Sequence, residues 1–152
     1  MNTPFEIKDR TEVNTMCIRT HSPVENLKNV LGASFGAIAQ HIMSRGGQII
    51  DAPYVAYFNM DMSNLDLEIG FPVAAPLPSA GNIEGSKLSP GRYVTCLYTG
   101  PYEEMEPVYK GIADFMQQHE LKPTGAAYEF YLNGPETPPA NLQTRIEFPL
   151  TA

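Results

Sequence analysis

The sequence predicts an α+β fold in which two β-α-β-β units in tandem, related by a pseudo-twofold axis, form an antiparallel sheet with both helices on one face. The first observation behind this prediction is that the two halves of the chain resemble each other in four separate blocks, whose partners lie about half the chain apart. The second is that apolar residues in each half alternate, as in strands, except in one stretch where they recur every three or four residues, as in a helix.

The four matching blocks occur in the same order in both halves. CIRTHSPVEN resembles TCLYTGPYEE, SFGAIAQHIM resembles VYKGIADFMQ, YVAYFN matches YEFYLN, and LDLEIGFPV matches LQTRIEFPL. These blocks place the internal repeats at about residues 5–75 and 83–150. With 152 residues, 43% of them hydrophobic, the chain can bury one sizeable core, so we predict a single domain over residues 1–152.

The first half shows the signals of each element in turn. Alternation over residues 13–21 predicts a strand, and the tetrapeptide Ser22–Glu25 has the form of a capping box with proline at the first helical position. A helix is predicted to follow and to end at Gly46. Its apolar stripe has spacings of three and four: Phe35, Ile38, Ala39 and Ile42. The segments YVAYFNM and LDLEIGFPV then predict a β-hairpin.

The second half repeats this order. Strands are predicted over residues 92–99, 128–133 and 143–150, and a helical stretch over residues 102–119. Because Pro107 interrupts that stretch, we predict one turn, a kink and then the main helix. The segment between the halves, AAPLPSAGNIEGSKLSPG, is rich in glycine, proline and serine and is predicted to be a connector, in a sheet of six to eight strands.

The shape of this sheet predicts a binding surface. Two twisted sheets that meet about a twofold axis leave a concave surface where they join. Concave, partly apolar surfaces are where proteins bind small molecules. We therefore predict a ligand groove on the face of the sheet opposite the helices.

The residues of the groove are predicted from the alternation of side chains along each strand. The more apolar set is expected beneath the helices and the other set in the groove. In YEFYLN this rule places Phe130, with Tyr128 and Leu132, beneath the helices. Glu129 and Tyr131 then face the groove.

Further groove residues follow from the same reasoning. By the repeat match, Val55 and Tyr57 take the places of Glu129 and Tyr131. Glu68 is predicted to face the groove because its neighbours in LDLEIGFPV are apolar. Tyr93 is predicted there too, because Val94 and Cys96 point to the core.

Glu129 has two interpretations. Its repeat partner Val55 is apolar, so the carboxylate is present in one half only. Among tyrosine rings and away from water, it would pair with a lipophilic cation, and each cation–ring contact would add about 0.5 to 2 kcal/mol. The alternative is a glutamate on a solvated face, paired across the hairpin with Arg145, which would contribute about 0 to 1 kcal/mol.

The composition argues against several classes of protein. A formal net charge of −7 and the absence of a Lys/Arg cluster disfavour direct binding of nucleic acid. No segment approaches the roughly 18 apolar residues of a membrane span, and the N-terminus lacks the pattern of an export signal. A cytoplasmic protein is therefore expected, without membrane binding.

Metal, redox and catalytic motifs are not evident. Cys17 and Cys96 lie in apolar segments and are expected to be buried free thiols. His21, His41 and His119 fall in different predicted elements, which argues against a metal site. The Ser-His-Asp, Cys-His and phosphate-loop patterns are missing, so no catalytic residue and no cofactor is predicted.

Several of these segments resemble a known family. GRYVTCLYTGPYEEM, LDLEIGFPV and above all YEFYLNGPETPPANLQTRIEFPL are similar to the GyrI-like small-molecule-binding domain. This is the fold of DNA gyrase inhibitory proteins and of the effector domains of AraC-type and MerR-type multidrug regulators. The resemblance extends from about residue 5 to residue 150. The resemblance implies a hydrophobic groove that binds bulky aromatic, often cationic compounds. The central glutamate of the family's groove matches Glu129, and a second groove position matches Tyr131.

The resemblance leaves three functions open. Because no helix-turn-helix region accompanies the domain, a stand-alone binding protein for hydrophobic or cationic small molecules is expected first. A hydrolase that acts on reactive xenobiotics in the same groove is the second possibility, although the chain lacks the tryptophan that such grooves often contain. The third is a role through a protein partner, such as DNA gyrase or a regulator protein.

Overall fold

The computed structural model describes residues 1–134 and 136–151, which contain eight strands and two α-helices. The strands are β1 (Glu6–Arg10), β2 (Val13–Ser22), β3 (Tyr54–Tyr57), β4 (Leu65–Pro72), β5 (Ile83–Leu88), β6 (Gly91–Thr99), β7 (Ala127–Tyr131) and β8 (Gln143–Pro149). The helices are α1 (Leu27–Ser44) and α2 (Glu106–Gln118). Short 3₁₀ turns span Val24–Asn26, Tyr102–Glu104 and Pro139–Asn141. The predicted α+β class, with antiparallel strands and one helix in each half, is confirmed.

The chain forms two compact units. The first unit is the continuous segment Thr11–Pro90, and the second unit combines Met1–Arg10 with the chain from Gly91 onward. Neighbouring strands follow the order β3-β4-β2-β5 in the first unit and β1-β6-β8-β7 in the second. All of these pairs are antiparallel.

The edge strands β1 and β5 are exchanged between the two repeats. Each lies at the start of one repeat but pairs with a strand of the other: β1 pairs with β6 through Ile7 and Val94, and β5 pairs with β2 through Glu84 and Cys17. Sequence analysis predicted neither strand, and β5 lies within the predicted connector. The reason is that an edge strand is partly solvated on both faces, so its polar sequence shows no clear alternation. The boundaries of the repeats therefore differ from those of the units.

The helices begin differently from the prediction. The prediction of a capping box at Ser22 is wrong. The Ser22 hydroxyl donates a hydrogen bond to the Pro23 carbonyl oxygen, and a 3₁₀ turn precedes α1. The stop at Gly46 is confirmed by its positive φ of 69°. The predicted turn before the main helix is confirmed by the 3₁₀ turn Tyr102–Glu104, but α2 begins at Glu106, so Pro107 lies in its first turn and does not precede it. The first turn tolerates proline because its N–H groups have no partner within the helix.

Each helix packs on one face of its own sheet, which we call the helix face of that unit. In the second unit, Val94, Cys96 and Ile146 form a buried cluster with Val108 and Ile112 of α2. Even-numbered residues of β6 and β8 thus point to α2. In the part of the chain that the structure describes, no helix has both the length and the apolar character needed to cross a membrane.

The helix face of the first unit is identified by an aromatic contact. Phe35 of α1 packs edge-to-face on Phe71 of β4, with ring centroids 5.6 Å apart. Because side chains alternate along a strand, Leu67 and Ile69 of β4 lie on the same face as Phe71. Leu67 and Ile69 are both fully buried, as expected beneath a helix.

Candidate functional site

Glu129 lies on the helix face of the second unit. It is paired with Ile146 of β8, and directly paired residues of antiparallel strands point to the same side. The prediction that Glu129 faces away from the helix is therefore wrong. The rule failed because the face of β7 opposite the helix is also buried. Phe130, which we expected beneath the helix, is fully buried on that face, where the Arg145 guanidinium lies 4.3 Å from its ring centre.

Two tyrosine hydroxyls donate hydrogen bonds to the Glu129 carboxylate. The Tyr131 hydroxyl lies 2.7 Å from Oε1, and the Tyr109 hydroxyl, carried by α2, donates to Oε2. Tyr109 is itself held by an edge-on contact with the ring of Phe148, at 5.7 Å between centroids. The carboxylate is thus fixed on a half-buried site beside α2, with one tyrosine from the sheet and one from the helix.

The electrostatics of this carboxylate are set mainly by burial. Burial raises the pKa of Glu129 above the ordinary value of 4.5, while the hydrogen bonds from Tyr109 and Tyr131 oppose the shift. Among the described residues, no lysine, arginine or histidine forms an ion pair with Glu129. The alternative pairing with Arg145 is wrong, because Arg145 lies on the opposite face and donates from Nε to Glu147 at 2.9 Å.

Tyr102 and Tyr109 are site residues that sequence analysis missed. The ring of Tyr102, in a 3₁₀ turn, meets the ring of Tyr131 edge-on, with centroids 5.7 Å apart, and Tyr102 is 45% exposed. Burial and the nearby charge of Glu129 both raise the pKa of Tyr102. Alternation was applied to strands alone, so residues of the turn and the helix were not considered. The signal was available, since Tyr109 follows the buried Val108 on the flank of the apolar stripe of α2.

Val55 and Tyr57 occupy the corresponding places in the first unit. Val55 pairs with Ile69 and Tyr57 with Leu67, so both lie on the helix face of that unit. Val55 is fully buried and Tyr57 is half-buried. The prediction that they face away from the helix is therefore wrong, as it is for Glu129 and Tyr131, whose places they take in the repeat. Their contact with a ligand stays a prediction.

Glu68 lies on the opposite face of its sheet. It alternates with Leu67 and Ile69, so it points away from α1, and only 6% of it is exposed. The Tyr54 hydroxyl donates to its Oε2 at 2.7 Å, and burial raises its pKa. The prediction that Glu68 points away from the helix is confirmed, but Val55 and Tyr57 lie on the helix face, so the three do not share one surface. Contact of Glu68 with a ligand stays a prediction.

Tyr93 also lies on the face opposite the helix. It alternates with Val94, which packs against α2, and the Arg10 guanidinium stacks over its ring at 4.1 Å. The prediction that Tyr93 points away from the helix is therefore confirmed, whereas the prediction that it shares a face with Glu129 is wrong, because Glu129 lies on the helix face. Arg10 also forms an ion pair with Glu147, which is 2% exposed, so this face carries a compact charged cluster.

Cys17 and Cys96 are free and buried. Burial raises the pKa of Cys17 to about 12 and that of Cys96 to about 11, so both thiols stay protonated at neutral pH. His41 is buried on α1, where its Nε2 lies 2.8 Å from the Pro78 carbonyl oxygen. Within residues 1–134 and 136–151, no group of three histidine, cysteine, aspartate or glutamate side chains is arranged to hold a metal ion.

Several solved structures share this fold. The chain is similar to the C-terminal domain of EcmrR, with a TM-score of 0.86 and 20% identity over 97% of each chain. Against EcmrR in a DNA complex the TM-score is 0.84 at 21% identity, and the chain spans 57% of the length of that protein. A hydrolase from Listeria innocua gives a TM-score of 0.72 at 15% identity, covering 97% of this chain and 91% of that one. SAV2435 bound to tetraphenylphosphonium gives 0.64 at 10% identity, covering 99% and 95%.

At these identities, the similarity to solved structures establishes the fold alone. None of the curated proteins compared with the chain matches it. The profile of the family described as the GyrI-like small molecule binding domain matches residues 3–151, which is nearly the whole chain. The chain therefore belongs to the GyrI-like small-molecule-binding domain family.

Proposed function

We propose that this domain binds bulky aromatic cations and that Glu129 supplies the opposite charge. The observation that carries the proposal is a half-buried carboxylate that is held by two tyrosine hydroxyls and has no cationic partner among the described residues. Tyr131, Tyr109 and Tyr102 are proposed to contact the aromatic part of the ligand. Val55 and Tyr57 are proposed as further ligand-binding residues, from their matching positions in the repeat.

A cation is the ligand that best satisfies this carboxylate. A charge that is partly removed from water costs free energy unless it is paired, and the two hydroxyls compensate only in part, since the net effect on the pKa of Glu129 is upward. A ligand cation would supply the missing charge. The tyrosine rings would add cation–π contacts of about 0.5 to 2 kcal/mol each, which depend little on the exact shape of the ligand.

The comparisons support this class of ligand at the level of the fold. A protein with the same fold, SAV2435, has been solved with tetraphenylphosphonium bound, and this compound is a bulky aromatic cation without hydrogen-bonding groups. Tetraphenylphosphonium is therefore a suitable first probe. Titration calorimetry with the whole chain tests the proposal, and the absence of measurable binding at millimolar probe would contradict it.

The hydrolase alternative is favoured less by the geometry of Glu129. A carboxylate that activates water needs an oxygen directed at that water. Here each carboxylate oxygen accepts a tyrosine hydroxyl. This arrangement suits a fixed charge that binds a ligand better than a general base.

Binding of tetraphenylphosphonium is expected to depend on pH through Glu129. Because the pKa of this carboxyl is raised above 4.5 in the folded protein, protonation removes its charge at a higher pH than for an ordinary glutamate. The affinity should be constant at high pH and should fall up to about tenfold per pH unit below the raised pKa. Calorimetry between about pH 8 and about pH 5 measures this profile, since an ordinary glutamate stays ionised over that range.

The same shift affects the stability of the free protein with a defined sign. A raised carboxyl pKa means that folding favours the protonated form, so this contribution to stability is fully present below pH 4.5 and is lost as the pH rises through the folded pKa. Glu129→Gln should therefore show a pH-independent affinity for the probe and a stability at neutral pH no lower than the parent's. A pH profile of binding that is identical in the parent and in Glu129→Gln would exclude Glu129 as the titrating group.

A further inference from the structure

The hydroxyl of Thr144 is buried on the same face as Glu129 and has no hydrogen-bond partner among the described residues. Thr144 lies in β8, is 0% exposed, and is paired with Tyr131 of β7. Because it is two residues from Ile146, which pairs with Glu129, it points to the helix face of the second unit. A buried hydroxyl without a partner costs free energy, so its presence needs a reason.

The repeat shows that this hydroxyl is specific to one unit. In the match between LDLEIGFPV and LQTRIEFPL, the residue that corresponds to Thr144 is Leu67, and the residue that corresponds to Glu129 is Val55. Both apolar residues lie on the helix face of the first unit. The second unit therefore has polar groups at two positions where the first has aliphatic ones. Glu129 and Thr144 are diagonal neighbours across β7 and β8, at a distance of roughly 7 Å.

The groups around Thr144 are already engaged. On its other side it is paired with Tyr98, whose hydroxyl donates to the Pro101 carbonyl oxygen at 2.7 Å. Glu129 accepts from Tyr109 and Tyr131. These partners account for the nearby hydroxyls and carboxylate oxygens, and none of them is bonded to Thr144.

Thr144 lies next to the tyrosines that the proposed ligand contacts. Tyr131 lies directly opposite it and is half-buried, and Tyr102, which leans on Tyr131, is 45% exposed on a three-residue turn. A cation that pairs with Glu129 replaces the hydrogen bond from Tyr131. A rotation of the Tyr131 ring that accompanies this exchange, with the ring still against the ligand, uncovers the Thr144 hydroxyl.

We propose that Thr144 donates a hydrogen bond to an oxygen acceptor on the bound cation, so that the domain selects lipophilic cations that carry such an acceptor beside their charge. This inference rests on the proposed function, because the ligand must first be held at Glu129. Glu129 provides attraction for any cation of this class, and Thr144 distinguishes among them. A threonine that served packing alone would be replaced by valine without any change in this preference.

Two matched probes test the inference. The (4-acetylphenyl)triphenylphosphonium ion carries a carbonyl acceptor, and its 4-isopropylphenyl analogue has nearly the same shape without one. The parent is expected to bind the acetyl probe about tenfold more tightly than the isopropyl probe, as one hydrogen bond to an otherwise unpaired group permits. Thr144→Val should abolish this preference and leave the affinity for the isopropyl probe unchanged, whereas Thr144→Ser should retain it.

Controls separate the possible outcomes. Thr15→Val changes a buried threonine of the first unit that lies away from α1, and it should preserve the preference. Thermal unfolding of Thr144→Val should occur at or above the parent temperature, because an unpaired hydroxyl is removed. If Thr144→Val keeps the preference while Glu129→Gln weakens both probes, the inference on Thr144 is overturned and the proposed function stands. If neither probe binds the parent, both are overturned.

Discussion

Glutamine at position 129 is expected to weaken the binding of tetraphenylphosphonium about 30-fold, which corresponds to about 2 kcal/mol. Glutamine keeps the size of the side chain and can still accept from one tyrosine hydroxyl, but it has no charge. The lost term is the attraction between a half-buried carboxylate and a cation that has left water. Titration calorimetry of the parent and of Glu129→Gln at neutral pH measures the difference.

Two controls show whether the effect belongs to this site. Glu104→Gln removes an exposed carboxylate of the same unit, in the 3₁₀ turn before α2, and should leave the affinity within about twofold, because surface charges interact weakly in water. Triphenylphosphine oxide, a neutral compound of similar shape, should bind the parent and Glu129→Gln equally. Equal loss of affinity in both variants would show that the net charge of −7 attracts the cation, and that Glu129 has no special role.

Removal of the Glu147 carboxylate is expected to lower the free energy of unfolding by about 3 kcal/mol. Glu147 is 2% exposed, accepts from the Arg145 Nε at 2.9 Å and pairs with Arg10, whose side chain is 16% exposed. Alanine at this position removes the buried carboxylate with which both arginine side chains, 16% and 29% exposed, form ion pairs. Because Arg10 belongs to β1, the loss should also loosen β1 from β6. Urea unfolding of Glu147→Ala, followed by circular dichroism, measures the change.

An exposed ion pair provides the comparison for Glu147. Glu12 and Lys87 are 3.1 Å apart, with side chains 51% and 56% exposed. Glu12→Ala should therefore lower the free energy of unfolding by at most about 1 kcal/mol. If Glu12→Ala and Glu147→Ala lowered the free energy of unfolding by similar amounts, burial would not be the reason why the ion pairs of Glu147 stabilise the fold.

The sequence predicted the elements of the fold better than the direction of their side chains. The repeat and the two apolar periods located six strands and both helices, because these elements have strong patterns. The strands β1 and β5 were missed, since edge strands such as EIKDR and IEGSKL are mostly polar. The alternation rule failed where both faces of a strand are buried, as at Tyr54 and Phe130. In such a strand the more apolar set of side chains can lie on either face, so it does not identify the face beneath the helix.

The candidate site was predicted in part for the same reason. Glu129 and Tyr131 were found because the repeat contrasts a carboxylate with Val55. Alternation placed Glu68 and Tyr93 correctly on the face opposite the helix, but the register of β7 and β8 puts Glu129 and Tyr131 on the helix face, so these four residues do not form one surface. Tyr109 comes from α2, and no pattern along a single strand can predict which residue of a helix will reach it.

The exchange of the edge strands makes one unit continuous in the chain and the other discontinuous. All of the first unit lies between Thr11 and Pro90, so it is complete as soon as that segment has left the ribosome. The second unit must bring Glu6 beside Thr95, a pairing that closes a loop containing the entire first unit. Closing such a long loop costs more chain entropy and slows folding. Synthesis and topology thus favour the same sequence of events, in which the first unit folds early and the Glu129 site is assembled last.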